Sequence, residues 1–127
     1  MKYLLDTQVA IWALGEKSRL SSTAKAIIDD GSVPLYISII SAWEIAIKIS
    51  IGKLEFSGGS GYFIEKMLQN GIAILGVEAS HIEVVETLPF LHRDPFDRLL
   101  IATAKADSMT IITSDENIRK YDIQAIW

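Results

Sequence analysis

The sequence contains no cysteine, only three prolines and only two histidines in 127 residues. Without cysteine, disulfides, Cys-ligated zinc, iron–sulfur clusters and thiol catalysis are all excluded. Such a chain suits a reducing cytoplasm, the expected location. No apolar run reaches the length of a membrane span, so no membrane partner is expected. Met1-Lys2-Tyr3-Leu4-Leu5 briefly imitates a secretory leader, but Asp6 and Gln8 interrupt it and no small-residue cleavage site follows. Basic charge is also in short supply: 12 Lys and Arg against 16 Asp and Glu give a net charge of −4. That balance argues against a protein that merely coats nucleic acid, and leaves room for a nucleic-acid enzyme with a metal in its site.

Apolar residues are abundant, at 50% against 22% charged, which excludes a disordered chain. The length suits a single domain over residues 1–127. Short apolar runs alternate with helical patterns. Strands are expected at Lys2 to Leu5, Leu35 to Ser38, Ile72 to Leu75 and Thr110 to Thr113, with an edge strand in Ile123 to Trp127. Helices are expected at Val9 to Leu14, from Ser21 or Ser22 to Asp30, Ser41 to Ile51, Tyr62 to Asn70, Ser80 to Leu88 and Pro95 to Asp107. Ser57-Gly58-Gly59-Ser60-Gly61 lacks the Gly-Lys-Ser/Thr of a phosphate loop and reads as a surface linker. Nearly continuous apolar strands separated by helices imply a mostly parallel sheet covered on both faces, an α/β fold of three layers. Ligands of such sheets bind beyond the carboxyl ends of the strands.

Four acids occupy such places. Asp6 follows the first strand and Asp115 the fourth, while Glu44 and Asp97 lie in helices. Each has an ordinary explanation. Asp6 and Asp115 suit helix or turn caps. Glu44 completes a capping box with Ser41 and forms an i, i+4 pair with Lys48. Asp97 suits the first turn of a helix capped by Asp94. Two features press further. The polar stripe Ser41, Glu44 and Lys48 is narrow on an otherwise apolar helix, which suits the wall of a cleft. Asp97 heads a stripe that continues through Leu100, Ile101 and Ala104, and an acid in line with a core stripe needs a compensating partner such as a cation. Clustered carboxylates repel one another, and oxygen-only ligands favour Mg²⁺ or Mn²⁺, ions suited to phosphodiester hydrolysis.

Several stretches carry a family resemblance that covers essentially the whole chain. They are Tyr3-Leu4-Leu5-Asp6-Thr7, Ser41-Ala42-Trp43-Glu44-Ile45-Ala46-Ile47-Lys48, Gly52-Lys53-Leu54, the specific block His92-Arg93-Asp94-Pro95-Phe96-Asp97-Arg98-Leu99-Leu100-Ile101-Ala102, and Thr113-Ser114-Asp115 with Ile126-Trp127. On these the chain resembles PIN-domain ribonucleases, and within them the VapC-type toxins of toxin–antitoxin pairs. The resemblance implies a PIN-like α/β/α sandwich and a Mg²⁺-dependent endoribonuclease with Asp6, Glu44, Asp97 and Asp115 at the acid positions. Asp97 takes the third position rather than Asp94, because Asp-x-x-Leu-Ile-Ala continues from it. Asp6 and Asp97 are the first-choice metal ligands. Glu44 and Asp115 either bind the metal, orient its waters or hold a second ion.

The implied reaction is attack of an activated water on the phosphorus of single-stranded RNA, with the 3′-oxygen leaving. Lys48, Arg93 and Arg98 flank the acids and are candidate phosphate contacts, with solvated helix-end charge as the alternative. Gln8 stands where close relatives often carry His. The implied partners are a small antitoxin, whose segment lies across an apolar groove with Trp12 and Trp43 as candidate walls, and a second copy of the chain. For Trp43, core packing is the favoured alternative. The helices before Gly31 and around Tyr62 to Asn70 are the expected dimer face.

Other functions are weaker. A metal-free ribonuclease would rely on His81 and His92, of which His81 sits in an ordinary helix pattern. A phosphoacceptor domain needs paired acids after the first strand and a lysine after a late one, but Leu4-Leu5 precede Asp6 and Thr113-Ser114 follow the fourth strand. A degenerate PIN-fold binding subunit conflicts with the presence of all four acids.

Overall fold

The computed structural model describes residues 1–127 and contains five short strands and seven helices. The strands are β1 (Tyr3–Leu5), β2 (Leu35–Ser38), β3 (Ala73–Leu75), β4 (Thr110–Ile112) and β5 (Ala125–Ile126). The helices are α1 (Thr7–Gly15), α2 (Ser22–Asp29), α3 (Ile39–Ser50), α4 (Gly59–Gln69), α5 (Ala79–Thr87), α6 (Pro95–Ala106) and α7 (Glu116–Arg119), with a 3₁₀ turn at Lys17–Arg19.

The sheet order is β3-β2-β1-β4-β5 and every pairing is parallel. Alternation along a strand sends neighbouring side chains to opposite faces. Leu4 and Ile111 accordingly enter one core with Leu88, Leu100, Ile101 and Tyr121, whereas Leu5 and Ile112 enter the other with Val9, Ile37, Ile45 and Phe63. The three-layer α/β architecture is therefore as expected, with the sheet wholly parallel. No helix is long and apolar enough to cross a membrane.

The chain leaves β1 outward through β2 and β3, then returns to β4 on the other side of β1. The crevice where the winding reverses opens between β1 and β4, and Asp6 and Asp115 lie just beyond those two strands.

Two local expectations are corrected. Helix α3 starts at Ile39, with Ser38 as its N-cap accepting from the Ile40 N–H at 3.1 Å. Ser41 is therefore inside the helix, and the Ser41–Glu44 capping box does not exist. Its hydroxyl instead accepts from Thr7 Oγ1 at 2.7 Å, joining α3 to α1. The glycine-rich segment is likewise only partly a linker, because Gly59, Ser60 and Gly61 form the first turn of α4. Gly58 caps that helix at φ 87°, and a Cβ there would lie 2.5 Å from Tyr62 Cβ, so position 58 needs glycine on two counts.

Candidate active site

The cleft at the sheet's carboxyl edge has a volume of about 430 Å³ and five acids in its walls: Asp6, Glu44, Asp94, Asp97 and Asp115. All four acids picked out from sequence are there. The fifth, Asp94, was read only as a cap. It does cap α6, accepting from the Phe96 and Asp97 N–H groups at 2.9 and 3.1 Å. Lys48, Lys53, Gln8, Thr7 and Ser114 complete the polar lining.

The ordinary and functional readings of these acids coexist. Asp6 caps α1 and Asp115 caps α7, each through one carboxylate oxygen. Placing acids at helix N-termini lets backbone N–H groups stabilise them at the wall of the cleft. Asp6 is only 7% exposed. Its second oxygen accepts from Thr113 Oγ1 at 2.7 Å. Glu44 is 5% exposed and comes from the middle of α3, where no free backbone donors exist. One of its oxygens accepts from Lys48 Nζ at 2.6 Å. The other, Oε1, is buried with no hydrogen-bond partner. Asp97 Oδ2 lies within hydrogen-bond distance of His92 Nε2, at 3.2 Å.

The electrostatics follow from burial and crowding. Burial raises Asp6 above the usual carboxylate range, and Asp115 and Glu44 add repulsion, against the lowering hydrogen bonds from Thr113 and the Gln8 N–H. Asp97 is pushed up to about 8, first by burial and then by Asp94, Asp6, Asp115 and Glu44. Lys48 is raised, chiefly by its bond to Glu44. One lysine paired to one of five acids leaves the cleft short of positive charge.

A divalent cation is the chemical complement of that shortage. The donors are all hard oxygens, and a buried Glu44 oxygen has no partner, so the residues fit Mg²⁺ or Mn²⁺ by type. No three His, Asp or Glu side chains converge closely enough to enclose an ion as they stand. Open walls suit Mg²⁺, which keeps several of its waters and uses few carboxylates.

The candidate phosphate contacts separate. Lys48 lines the cleft, half exposed. Arg98 does not: it is buried, donates to the Pro89 carbonyl and the Tyr121 hydroxyl at 2.9 Å each, and lies over the Phe90 ring. Arg93 lines a different, apolar cleft with Ile82, Leu88, Phe90 and Leu99. The two histidines also part company. His81 is fully buried, its Nδ1 accepting from the Glu78 N–H and its Nε2 facing Asp107, at the far end of α6 from Asp97. Ten residues of helix put those two acids about 15 Å apart, so the histidines do not form an acid–base pair. Trp43 is 57% exposed and edge-on to Phe96, not a core residue. Trp12 is half-buried against Trp127 and beneath Arg19.

The PIN domain family model matches residues 3–124 of the chain. A curated relative, Ribonuclease VapC22 of Mycobacterium tuberculosis, is 27% identical over 119 residues, covering 93% of this chain and 90% of that protein. Among solved structures, VapBC2 of Rickettsia felis bound to a promoter DNA fragment superposes with a TM-score of 0.76 at 16% identity, covering 99% of this chain and 98% of that one. DNA-bound VapBC of Salmonella typhimurium superposes with a TM-score of 0.74 at 13% identity, covering 99% and 97%.

Proposed function

The chain belongs to the PIN-domain family, and from that membership we propose that it is a metal-dependent endoribonuclease, the toxin of a toxin–antitoxin pair. The observation that carries the reading is the cleft of five acids with one buried carboxylate oxygen left without a partner. The name of the VapC22 relative supports ribonuclease activity, and the VapBC complexes support an antitoxin partner.

Asp6 and Asp97 would hold the ion directly, with Glu44 and Asp115 as further ligands or as acceptors for its waters. When bound, Mg²⁺ (or Mn²⁺) neutralises charge developing on the phosphate and makes water a better nucleophile. The chain's own residues do the rest. Lys48, fixed by Glu44, presents its ammonium to the RNA phosphate, and Lys53 lies on the same rim. Thr113 holds Asp6 in place from behind.

The antitoxin segment fits the groove between α1 and α4, lined by Ile11, Leu14, Phe56 and Tyr62 and continuing from the acid cleft through Ile11. The second copy is best placed on α3. Ile39 and Trp43 on α3 and Ile51 at its C-cap are exposed at four- and eight-residue spacings; of the expected faces, the helices before Gly31 expose no large apolar side chain, whereas α4 exposes Tyr62 and Leu68.

The test is cleavage of single-stranded RNA with Mg²⁺ by the purified chain, free of antitoxin. Asp6→Asn and Asp97→Asn are expected to abolish cleavage while the circular dichroism spectrum is kept. EDTA is expected to stop the wild type. Normal cleavage by a folded Asp97→Asn protein overturns the assignment.

A further inference from the structure

One buried network behind the cleft has no role in the function proposed so far. Tyr121, 4% exposed, hydrogen-bonds to His92, which in turn reaches Asp97. The direction of each bond follows from counting donors. The Tyr121 hydroxyl oxygen receives an N–H from Arg98 at 2.9 Å and the backbone N–H of His92 at 3.3 Å. A phenol oxygen has two lone pairs, so both are taken. Its own proton is left to donate, and the remaining partner is His92 Nδ1 at 2.8 Å. An Nδ1 that accepts puts the ring proton on Nε2. That N–H faces Asp97 Oδ2 at 3.2 Å.

Arg98, Tyr121 and His92 thus form a one-way chain of donors ending on an acid of the cleft. Its far end is anchored, since Arg98 also donates to the Pro89 carbonyl at 2.9 Å and sits over Phe90 at 4.3 Å. Arg98 comes from the turn of α6 that carries Asp97, and His92 from the loop before it. The loop therefore holds, through His92, the carboxylate that the helix carries. With Oδ2 held from behind, the other oxygen of Asp97 is available to the cleft.

We propose that His92 is the positioning residue for Asp97, and that Tyr121, held by Arg98, sets its tautomer. The proposal rests on the reading of the cleft as a metal site. Outer-shell donors of this kind fix a ligand's orientation, and their loss costs metal affinity about 10- to 100-fold.

The experiment uses the full chain with Mn²⁺ as probe. Nitrogen-15 NMR of the imidazole at alkaline pH reports the tautomer directly, without metal or RNA. The wild type is expected to show the Nε2–H form and Tyr121→Phe a mixture of forms. A glutamine amide occupies the place of Nε2, whereas asparagine reaches only as far as Nδ1. His92→Gln is therefore expected to keep Mn²⁺ affinity within about threefold, and His92→Asn and His92→Ala to lose about 10-fold or more. Calorimetry gives these affinities, with circular dichroism confirming the fold.

An Nδ1–H tautomer in the wild type overturns the proposal. So does equal Mn²⁺ affinity in all variants, or equal loss in His92→Gln and His92→Ala. Failure of the ribonuclease reading is distinct, because it shows as RNA cleavage by Asp97→Asn and leaves the tautomer and Mn²⁺ results standing.

Discussion

Thr113 Oγ1 donates to Asp6 Oδ2 at 2.7 Å, joining the carboxyl ends of β4 and β1 across 107 positions of sequence. The same hydroxyl oxygen accepts from the Asp115 N–H at 3.0 Å. One side chain at the switch point of the sheet therefore orients one acid and fixes the backbone of another. Thr113→Val keeps the shape and removes both bonds. Leaving a buried carboxylate oxygen unpaired costs about 1–3 kcal/mol, read by urea denaturation. Mn²⁺ affinity is expected to fall about 10-fold, and Thr113→Ser to restore both properties. Unchanged affinity in Thr113→Val would show that Asp6 needs no support.

The pH dependence of stability gives a second prediction. Asp97 is raised from an ordinary carboxylate value to about 8, mainly by burial. A folded pKa above the unfolded one means that the native state binds the extra proton. Stability is then fully present below about pH 4 and is lost as pH rises through about 8, flattening beyond. With EDTA present, the wild type is expected to lose about 2 kcal/mol of this contribution between pH 5 and 9, after discounting for solvent screening. Asp97→Asn removes the loss and melts higher than wild type at pH 9. A divalent cation competes with the same proton, so Mn²⁺ binding should strengthen as pH rises over that interval. Identical pH profiles for wild type and Asp97→Asn would contradict the shift.

The fold and most of the cleft were legible because their signals are local. Leu35-Tyr36-Ile37-Ser38 was bounded correctly as β2, and its apolar run told of a sheet covered on both faces. The acids were legible because Asp97 breaks a stripe whose other members, Leu100, Ile101 and Ala104, are all buried. What failed needed tertiary information. Ser38 and Ser41 are equally good caps, and the β-branched Ile39 and Ile40 favour reading on as strand, so the start of α3 was misplaced. Arg98 reads as a free helix-end cation until Tyr121 arrives from 23 residues away. Trp43 reads as core because its neighbours are apolar, yet the buried residues of α3 are Ile40, Ser41, Ala42, Glu44 and Ile45. That set contains Glu44, and no pattern rule puts an acid there unless a cleft does.

Lys48 supplies a third prediction. Its ammonium lies in the cleft with one partner, Glu44 Oε2. Lys48→Gln is expected to weaken binding of a short single-stranded RNA and to reduce the slope of log affinity against log salt by about 0.7. Mn²⁺ affinity should change far less, because the acids remain. Arg93 lines the other cleft, and Arg93→Ala is expected to leave the slope unaltered. Equal effects from both substitutions would place the RNA across the outer face instead.

The fourth prediction concerns the second copy. Trp43 on α3 stands 57% exposed between Ile39 and the C-cap residue Ile51, with Phe96 against its edge and Phe90 and Leu91 exposed on the loop before α6. An aromatic residue left in water on an apolar stripe marks a contact surface, and a two-fold pairing uses such a stripe twice. Trp43→Glu places a charge on the stripe without touching the buried face of α3. Light scattering over a dilution series is expected to give twice the 14.1 kDa chain mass for the wild type and the single mass for Trp43→Glu. If Trp43→Glu still doubles while Tyr62→Glu and Leu68→Glu, on α4, do not, the contact lies on α4. If the wild type stays at the single mass at every concentration and still cleaves RNA, pairing is not required for activity.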